Sequence, residues 1–351
     1  MDLKCEEFNF QNDIGKHRDL FADAFPEVKD KSLDSYNWQF QQFPNSKRSY
    51  EYCALIKNEM VGYYAAVPYR YKIGDKKTDV GMVCGVMTSS NHRGKGIFTK
   101  LGKYSTDEMS KDLPFTTGYP IRKAVIPGHL KVGWKIAFEL PLYMKFIKLN
   151  SFFKSKRIPL LANILNPFLS LFNLILSSKD NKKIKPFFFS NISSIEGYDA
   201  FVEEWVNSVP NALIKDSEFA NWRYSRPGKK YQFLVLKSHD KIVGFSSFCK
   251  IVKEGVPSYC LLDLMVLPTD IDCHGILYKE LYKRAKVENI EAIMFMMSKH
   301  SARLNKVLSN GYIQSPYKFF LIIKNLTNEF LDKTLFDEEN WHLMWVDSDD
   351  L

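Results

Sequence analysis

A short segment between a strand-like and a helix-like pattern has the residue types that hold a phosphate group. It reads NHRGKGIFTK over residues 91–100. Gly94 and Gly96 carry no Cβ atom, so their backbone can adopt a positive φ and approach a ligand closely. Apolar residues recur at helical spacing from Ile97, which puts the segment at the positive end of a helix dipole. The segment therefore fits a diphosphate-binding turn, and it also fits an ordinary strand-to-helix turn with a basic surface.

The patterns around this turn indicate the elements that position it. They predict strands over residues 50–57, 61–73, 80–88, 114–119 and 134–148, and helices over residues 97–110 and up to Gly133. The same order recurs from residue 231 to residue 324. Strands followed by a strand-helix-strand-helix-strand unit predict an α/β (α+β) fold, in which each half has a mixed, mostly antiparallel sheet of six or seven strands flanked by helices.

The two halves of the chain also repeat individual residues at a nearly constant spacing. The matching pairs are Trp38 with Trp222, Gly62 with Gly244, Gly96 with Gly275, and Gly133 with Gly311. In this comparison Gly96 and Gly275 each precede a helical pattern. The repeat predicts two tandem domains that arose by duplication. We expect an N-terminal domain over residues 1–150, a helical linker over residues 151–190, and a C-terminal domain over residues 191–351 that ends in an acidic tail.

Composition restricts the possible partners. The chain has 351 residues and a net charge of +9, which favours nucleic acid, anionic lipid or small phosphorylated molecules as partners. The basic residues are scattered rather than gathered into a stripe, so we expect no nucleic acid. Six cysteines lie far apart without the spacing of a zinc site, so we expect no metal and a reducing compartment. The N-terminus lacks a secretory pattern, and we expect a cytoplasmic protein.

The most apolar run of the chain, residues 158–178, is flanked by lysine and arginine on both sides. Polar side chains form one stripe along it at helical spacing: Asn163, Asn166, Ser170, Asn173 and Ser177. A spanning helix gains nothing from such a stripe, so we expect an amphipathic helix and no transmembrane segment. We expect this helix, which Pro167 could bend, to pack between domains or in a subunit contact. Attachment to a membrane surface is the other interpretation.

The segment around the glycine turn resembles the GNAT acyltransferase superfamily. The likeness rests on the strand ending Gly85-Val86-Met87-Thr88, on the turn, and on Gly133-Trp134. The family pattern is Arg/Gln-x-x-Gly-x-Gly/Ala; Arg93 and Gly96 match it, whereas Phe98 stands where a small residue is usual. The paired tryptophan segments and the tail extend the resemblance over nearly the whole chain, to a bacterial tandem-GNAT group. Members of this group include N-acyltransferases that act on nucleotide-linked amino sugars for surface polysaccharides such as the lipopolysaccharide O-antigen.

The resemblance implies that an acyl-CoA is the co-substrate, held by the strand end and the turn. The residues expected to bind it are Val86, Met87, Thr88, Arg93, Gly94, Lys95, Gly96, Ile97, Phe98 and Thr99. The pantetheine arm would pair with the strand as an added strand does, and the diphosphate would lie on the amides of the turn. The corresponding segment of the second half has an aspartate, one glycine and no arginine. We therefore expect the N-terminal half to be the sole cofactor site.

An acyl thioester is already activated, so catalysis requires a positioned neutral amine and groups that move two protons. In many relatives a tyrosine four positions before the Gly-aromatic pair protonates the thiolate. His129 occupies that position here and is the expected catalytic residue, with a surface histidine as the alternative. Arg122 stands near the position of a cofactor-contacting asparagine.

Aromatic and arginine side chains are the candidates for binding the acceptor, since rings stack on a base or sugar and arginine grips a diphosphate. The candidates are Trp38, Arg70, Tyr119, Arg223 and Tyr224. The tryptophans also fit a role as core anchors. Asp347 or Asp349 could accept a proton, although an acidic C-terminal run is more often a solvated tail.

Together these inferences predict a cytoplasmic tandem-GNAT acyltransferase, a monomer or homodimer without a metal. It would transfer an acetyl or short (hydroxy)acyl group from acyl-CoA to the amine of a dTDP- or UDP-linked amino sugar, bound in a cleft between the halves. Two alternatives stay open. One is an aminoglycoside or peptide N-acetyltransferase, and the other is a non-catalytic binding module that keeps the fold.

Overall fold

The computed structural model describes residues 2–28, 32–45, 47–120, 123–176, 181–269 and 271–350. Arg122 and Ser177 lie outside these ranges. The chain forms two compact units: unit 1 comprises Met1–Phe138 with Phe320–Asp337, and unit 2 comprises Glu139–Phe319 with Glu338–Leu351. These units differ from the predicted division at residues 150 and 190, since a late segment of the chain belongs to unit 1.

Unit 1 has a mixed sheet with helices on its faces. Its elements, in chain order, are β1 Lys4–Glu7, α1 Phe10–Ala24, α2 Asp34–Tyr36, β2 Tyr50–Ile56, β3 Glu59–Ile73, β4 Lys76–Thr88, α3 Ile97–Met109, β5 Phe115–Gly118, α4 Ile126–Lys131, the start of β6 Lys135–Phe146, the end of β13 Ile313–Asn325, and α11 Asp332–Phe336. The strands lie in the order β1-β2-β3-β4-β5-β13. Strand β4 runs parallel to β5, and the other neighbours are antiparallel.

Helix α3 packs closely on this sheet. The cluster beneath it includes Tyr64, Ile97, Leu101 and Trp134, all buried. Gly62 permits the close approach, because a Cβ atom at this position would lie 3.0 Å from Ile97 Cγ2. The predicted helical spacing from Ile97 is thus confirmed, and it aims the apolar face of α3 at β3.

Unit 2 repeats the order of these elements. It contains α5 Asn150–Ser155, α6 Leu160–Ile175, β7 Ile184–Phe189, α7 Tyr198–Asn207, β8 Asn211–Leu213, α8 Ser217–Arg223, β9 Tyr231–Ser238, β10 Lys241–Lys253, β11 Val256–Val266, α9 Cys273–Val287, β12 Ala292–Met296 and α10 Lys299–Leu304, with most of β6 and β13. Its strands lie in the order β7-β9-β10-β11-β12-β6, with β11 and β12 parallel. The mixed α/β fold predicted for two tandem halves is confirmed.

One strand of each predicted half belongs to the other unit. Residues 142–146 of β6 pair with β12 inside unit 2, and residues 322–325 of β13 pair with β5 inside unit 1. We expected β6 to complete the sheet of the first half. The strand pattern of a segment specifies its buried face, whereas it does not specify which neighbour accepts its hydrogen bonds.

The polar stripe of α6 is divided between solvent and protein: Asn163 and Ser170 are exposed, whereas Asn173 is 1% exposed and its amide donates to the carbonyl of Phe146 at 2.9 Å. The structure also corrects one other expectation. The acidic tail is not a solvated segment, because Asp347 is fully buried and the carbonyl of Asp350 accepts from Arg223 at 2.9 Å. No helix within the described ranges is long and apolar enough to cross a membrane.

Candidate functional site

The glycine turn joins the end of β4 to the start of α3. Gly94 has φ of 76° and Gly96 has φ of 78°, a left-handed conformation that favours glycine. Gly96 is the N-cap of α3 and has no side chain to bond the amides of the first helical turn. Those amides have no partner inside the helix, so the turn presents them to a ligand. A Cβ atom built on either glycine meets no heavy atom within 4 Å, so the backbone faces open space.

Two cations belong to this turn. Arg93 and Lys95 are both exposed, and the ammonium of Lys95 donates to the carbonyl of Asn91 at 3.0 Å. An anion on the amides of the turn would therefore lie beside two positive side chains.

A carboxylate holds the start of the turn in place. Asp23, at the end of α1, accepts the backbone N–H of Ser90 at 2.7 Å and its hydroxyl at 2.5 Å. These hydrogen bonds, with the charge of Arg93, lower the pKa of Asp23. Asp23 is a positioning residue that the sequence patterns did not reveal, since it lies 67 positions before Ser90.

The edge of β4 continues past its pairing with β5. The two strands pair at Gly81 with Thr116 and at Met82 with Thr117, whereas β4 pairs with β3 as far as Thr88. The ladder between β3 and β4 shifts register near Tyr63, and Gly85 there has φ of 62°. The predicted pantetheine segment, residues 86–88, therefore lies beyond the β5 pairing and next to a bulge.

Phe98, which departs from the family pattern, points into unit 1 rather than over the turn. Its ring lies 4.9 Å from the ring of His129 and fits over Gly128, where an added Cβ would come within 2.7 Å of Phe98 Cε1. The absent side chain of Gly128 thus accommodates the large residue at position 98. The ring of Phe98 therefore packs against α4.

His129 is buried, 4% exposed, between Phe98 and Trp134. Its Nδ1 lies 3.1 Å from the carbonyl oxygen of Val125, so Nδ1–H donates to that carbonyl and Nε2 is left as the acceptor in the neutral ring. Burial lowers the pKa of His129 and favours this neutral form. The predicted surface histidine is therefore excluded, and the role of His129 in proton transfer stays a prediction.

A buried carboxylate on the other face of the sheet was missed by the sequence patterns. Glu51 of β2 is 9% exposed and accepts hydroxyl hydrogen bonds from Tyr36 and Tyr63, both at 2.5 Å, and from Ser49 at 2.6 Å. Burial and the charge of Glu51 raise the pKa of both tyrosines, so both stay donors. The ring of His17 packs on Tyr63 at 4.5 Å.

One strand, β3, separates this carboxylate from the predicted pantetheine segment. Tyr63, which donates to Glu51, pairs with Met87 of β4. Its ring also comes within 3.4 Å of the Cβ position of Gly85. The signal in the sequence was a single acidic residue within the apolar strand β2, and its hydroxyl partners are up to 15 positions away.

Above Glu51 lies a cleft of about 750 Å³ within unit 1. Its lining combines aromatic rings, amides and charged groups: Glu7, Phe8, Asn9, Phe10, Gln11, Phe40, Gln41, Phe43, Asn45, Lys47, Arg48, Ser49 and Glu51. Arg48 pairs with Glu7 at 2.8 Å and both side chains are largely exposed. A cleft with rings, cations and one buried carboxylate can hold a ligand that carries a ring system, anionic groups and an amine.

The predicted acceptor residues are distributed over both units. In unit 1, Trp38 and Tyr119 are buried, and Arg70 is exposed with its Nε 3.7 Å from Asp79. In unit 2, Arg223 is fully buried against the C-terminal segment, and the Tyr224 hydroxyl donates to Ser247 at 2.7 Å. Their role in substrate binding stays a prediction.

The equivalent turn of unit 2 has a different structure. Helix α9 begins at Cys273, so Gly275 lies inside the helix instead of preceding it, which corrects the expected match with Gly96. Asp272 occupies the N-cap and pairs with Lys306 at 3.0 Å. A carboxylate at this end of a helix disfavours a bound phosphate.

Comparisons with known proteins agree with this geometry. Residues 11–137 match the family model of the acetyltransferase (GNAT) domain, a range that includes β4, the glycine turn and α3. No curated protein sequence matches the chain.

Three solved structures have a similar fold. A GCN5-related N-acetyltransferase from Anabaena variabilis has a TM-score of 0.66 at 12% identity, with 93% of this chain and 73% of that chain covered. A probable N-acyltransferase from Enterococcus faecalis has the same TM-score and coverage at 11% identity. The N-myristoyltransferase of Saccharomyces cerevisiae, solved with myristoyl-CoA and inhibitors, has a TM-score of 0.60 at 11% identity, with 92% and 80% covered. The family match therefore concerns the N-terminal region, and the three structures show the fold.

Proposed function

We propose that the N-terminal half of this chain transfers an acyl group from an acyl-CoA to an amine. The observation that carries the proposal is the turn at Gly94 and Gly96. This turn leaves the N-terminus of α3 without a side-chain cap, and it follows β4, whose edge continues past its pairing with β5. A diphosphate suits the amides and cations of this turn. A pantetheine arm suits the edge of β4 over residues 86–88. The residues present therefore fit coenzyme A.

We propose Glu51 as the group that takes the proton from the amine. A carboxylate has about four lone-pair sites, and the hydroxyls of Tyr36, Tyr63 and Ser49 use three of them, which leaves Oε1 able to accept one more donor. As the amine nitrogen bonds to the acyl carbon, its proton passes to Glu51 and the carbon–sulfur bond breaks. Tyr63 supports this role because it links Glu51 to the strand of Met87.

His129 is the proposed proton donor to the departing thiolate. It contacts Phe98 in the first turn of α3, the helix that follows the proposed diphosphate site. Donation requires the imidazolium form, since the neutral ring uses Nδ1–H for the carbonyl of Val125. This role therefore predicts that kcat depends on pH, which can be measured.

The acceptor we propose is a nucleotide-linked amino sugar in the cleft above Glu51. Its phenylalanine rings suit a base or sugar, and Lys47 and Arg48 suit a diphosphate. The net charge of +9 is consistent with two anionic substrates. A polycationic aminoglycoside or a peptide amine would gain less from these cations.

The experiment measures thiol release from a panel of acyl-CoAs crossed with dTDP- and UDP-linked amino sugars, an aminoglycoside and a peptide amine. We expect turnover with a nucleotide-linked amino sugar. Replacing Glu51→Gln should lower kcat by about 10² to 10⁴ while CoA still raises the melting temperature. Glu7→Gln, in the same cleft but exposed and paired with Arg48, is the matched control and should keep its activity.

Each arm has a result that contradicts it. Normal turnover of Glu51→Gln would remove this residue as the base. Turnover with only the aminoglycoside or the peptide would refute the nucleotide-sugar acceptor and keep the acyltransferase. A chain that shows no thermal shift with any acyl-CoA would refute the cofactor site.

A further inference from the structure

Helix α6 of unit 2 exposes its apolar side chains instead of burying them. Leu160, Ile164 and Phe168 are 77%, 62% and 68% exposed, and Leu174 and Ile175 are each 71% exposed. Ile158, Leu171 and Phe172 are also about half exposed or more. Scattered exposed apolar residues are ordinary on a protein surface, whereas a continuous apolar face along one helix marks an interaction surface.

Two asparagines of the polar stripe, Asn166 and Asn173, fix this orientation of the helix. The Asn166 side chain accepts the backbone N–H of Leu149 at 2.9 Å and donates to the Asn150 side chain at 2.7 Å. Two helical turns further along, Asn173 donates to the carbonyl of Phe146 at 2.9 Å and is 1% exposed. Because these amides satisfy the backbone groups of Leu149 and Phe146, the helix cannot rotate its apolar face inward without leaving them unpaired.

Basic residues flank α6 on both sides in the sequence. Lys154, Lys156 and Arg157 are exposed immediately before the helix, and Lys182, Lys183 and Lys185 are exposed after it. Between residues 140 and 195 the sequence contains nine lysines and arginines and one acidic residue, Asp180. An apolar helix face with cations at both ends has the charge and the polarity of a helix that lies in the interface of an anionic bilayer.

We propose that α6 docks this protein on an anionic lipid bilayer, with the helix in the plane of the interface. A helix of 16 residues is about 24 Å long, so several side chains can enter the acyl region along one line. The flanking cations would contact the headgroups, where each contributes to the attraction. A second copy of the chain is the other occupant of an apolar face, and protein interfaces are depleted in lysine, which favours the bilayer.

Vesicle sedimentation tests the proposal with the full chain. We expect the protein to bind vesicles of phosphatidylcholine mixed with phosphatidylglycerol, and to bind pure phosphatidylcholine at least tenfold more weakly. The double variant that carries both Phe168→Glu and Leu171→Glu should bind the anionic vesicles at least tenfold more weakly. Replacing Lys154, Lys156 and Arg157 by glutamine should weaken the same binding and reduce its dependence on salt.

A matched control distinguishes this face from any exposed apolar residue. Val287 and Leu304, 81% and 64% exposed elsewhere on unit 2, are changed to glutamate and should leave vesicle binding unchanged. Equal loss in the control, or unchanged binding in the α6 variant, would overturn the proposal. Light scattering in lipid-free solution supplies the other outcome: a dimer that Phe168→Glu dissociates would assign the face to a second copy. An unaltered melting temperature of each variant verifies that it folds.

Discussion

Gly128 and Phe98 provide a direct test of how this chain tolerates a large residue beside the glycine turn. A Cβ atom at position 128 would lie 2.7 Å from Phe98 Cε1 and 2.8 Å from Cδ1. Carbon atoms in contact prefer about 3.5 to 4.0 Å, so the ring must retreat by roughly 0.8 Å or more in Gly128→Ala. Overpacking of this kind costs about 1 to 3 kcal/mol. The ring of Phe98 also packs on the ring of His129, at 4.9 Å between the ring centroids, which limits the retreat.

The same substitution has the opposite effect once the ring is removed. Gly128 lies inside α4, where alanine is favoured over glycine by about 0.5 to 1 kcal/mol. In a Phe98→Ala background, Gly128→Ala should therefore be neutral or stabilising. The sign of the effect thus depends on a residue 30 positions away, which is the signature of direct contact.

Thermal denaturation of the four chains of this double-mutant cycle measures the two effects. Gly128→Ala alone should lower the melting temperature of unit 1 by about 2 to 12 °C, if unit 1 unfolds as a domain of 150 to 250 residues. It should also weaken the thermal shift produced by CoA, because Phe98 belongs to the first turn of α3. A neutral or stabilising Gly128→Ala in the wild-type background would refute the reasoning, and so would equal effects in both backgrounds.

Three further predictions concern the proposed site. CoA should raise the melting temperature, because a ligand at a hundredfold excess over Kd adds about 2.7 kcal/mol to the free energy of unfolding. Gly96→Trp or Arg93→Glu should abolish this shift, and a shift retained in both variants would show that the site lies elsewhere. If His129 donates a proton, kcat should fall as the pH rises through the lowered pKa of His129, since the donor is the imidazolium. His129→Phe should have a lower, pH-independent kcat with little change in CoA affinity. An unaltered dependence of kcat on pH in this variant would remove His129 from the mechanism. His274→Asn and Gly275→Ala in unit 2 should leave the CoA shift intact, and its loss would show that the wrong half was assigned.

The sequence predicted those features that depend on local patterns. The strands β2 to β4, helix α3 and the two positive-φ glycines follow from spacing and residue type, and the structure has them within a few residues of the predicted bounds. Strand pairing is a different matter. Strand β6 has the pattern of any half-buried strand, so nothing local assigned its residues 142–146 to β12.

Two other features depended on contacts between distant residues. Glu51 has the hydroxyls of Tyr36 and Tyr63 as partners, and only the fold brings these residues around one carboxylate. In α6 the periodicity identified two faces, whereas the hydrogen bonds of Asn166 and Asn173 decide which face turns outward. In the structure, amide hydrogen bonds to the backbone groups of Leu149 and Phe146 hold the helix in its orientation.

The bulge at Gly85 connects the two faces of the unit 1 sheet. On one face, α3 and α4 support the glycine turn through Phe98 and its contact with His129. On the other face, Tyr63 lies against the bulge and donates to Glu51. Adjacent residues of a strand point to opposite faces of the sheet. Strand β4 can therefore present its edge to one ligand, while the sheet separates the phosphates of that ligand from an amine on the opposite face. The proposed reaction uses such separation, since the amine must reach the acyl carbon while the diphosphate stays held. Gly85 permits the bulge between the two sides because its φ of 62° is a left-handed conformation that favours glycine.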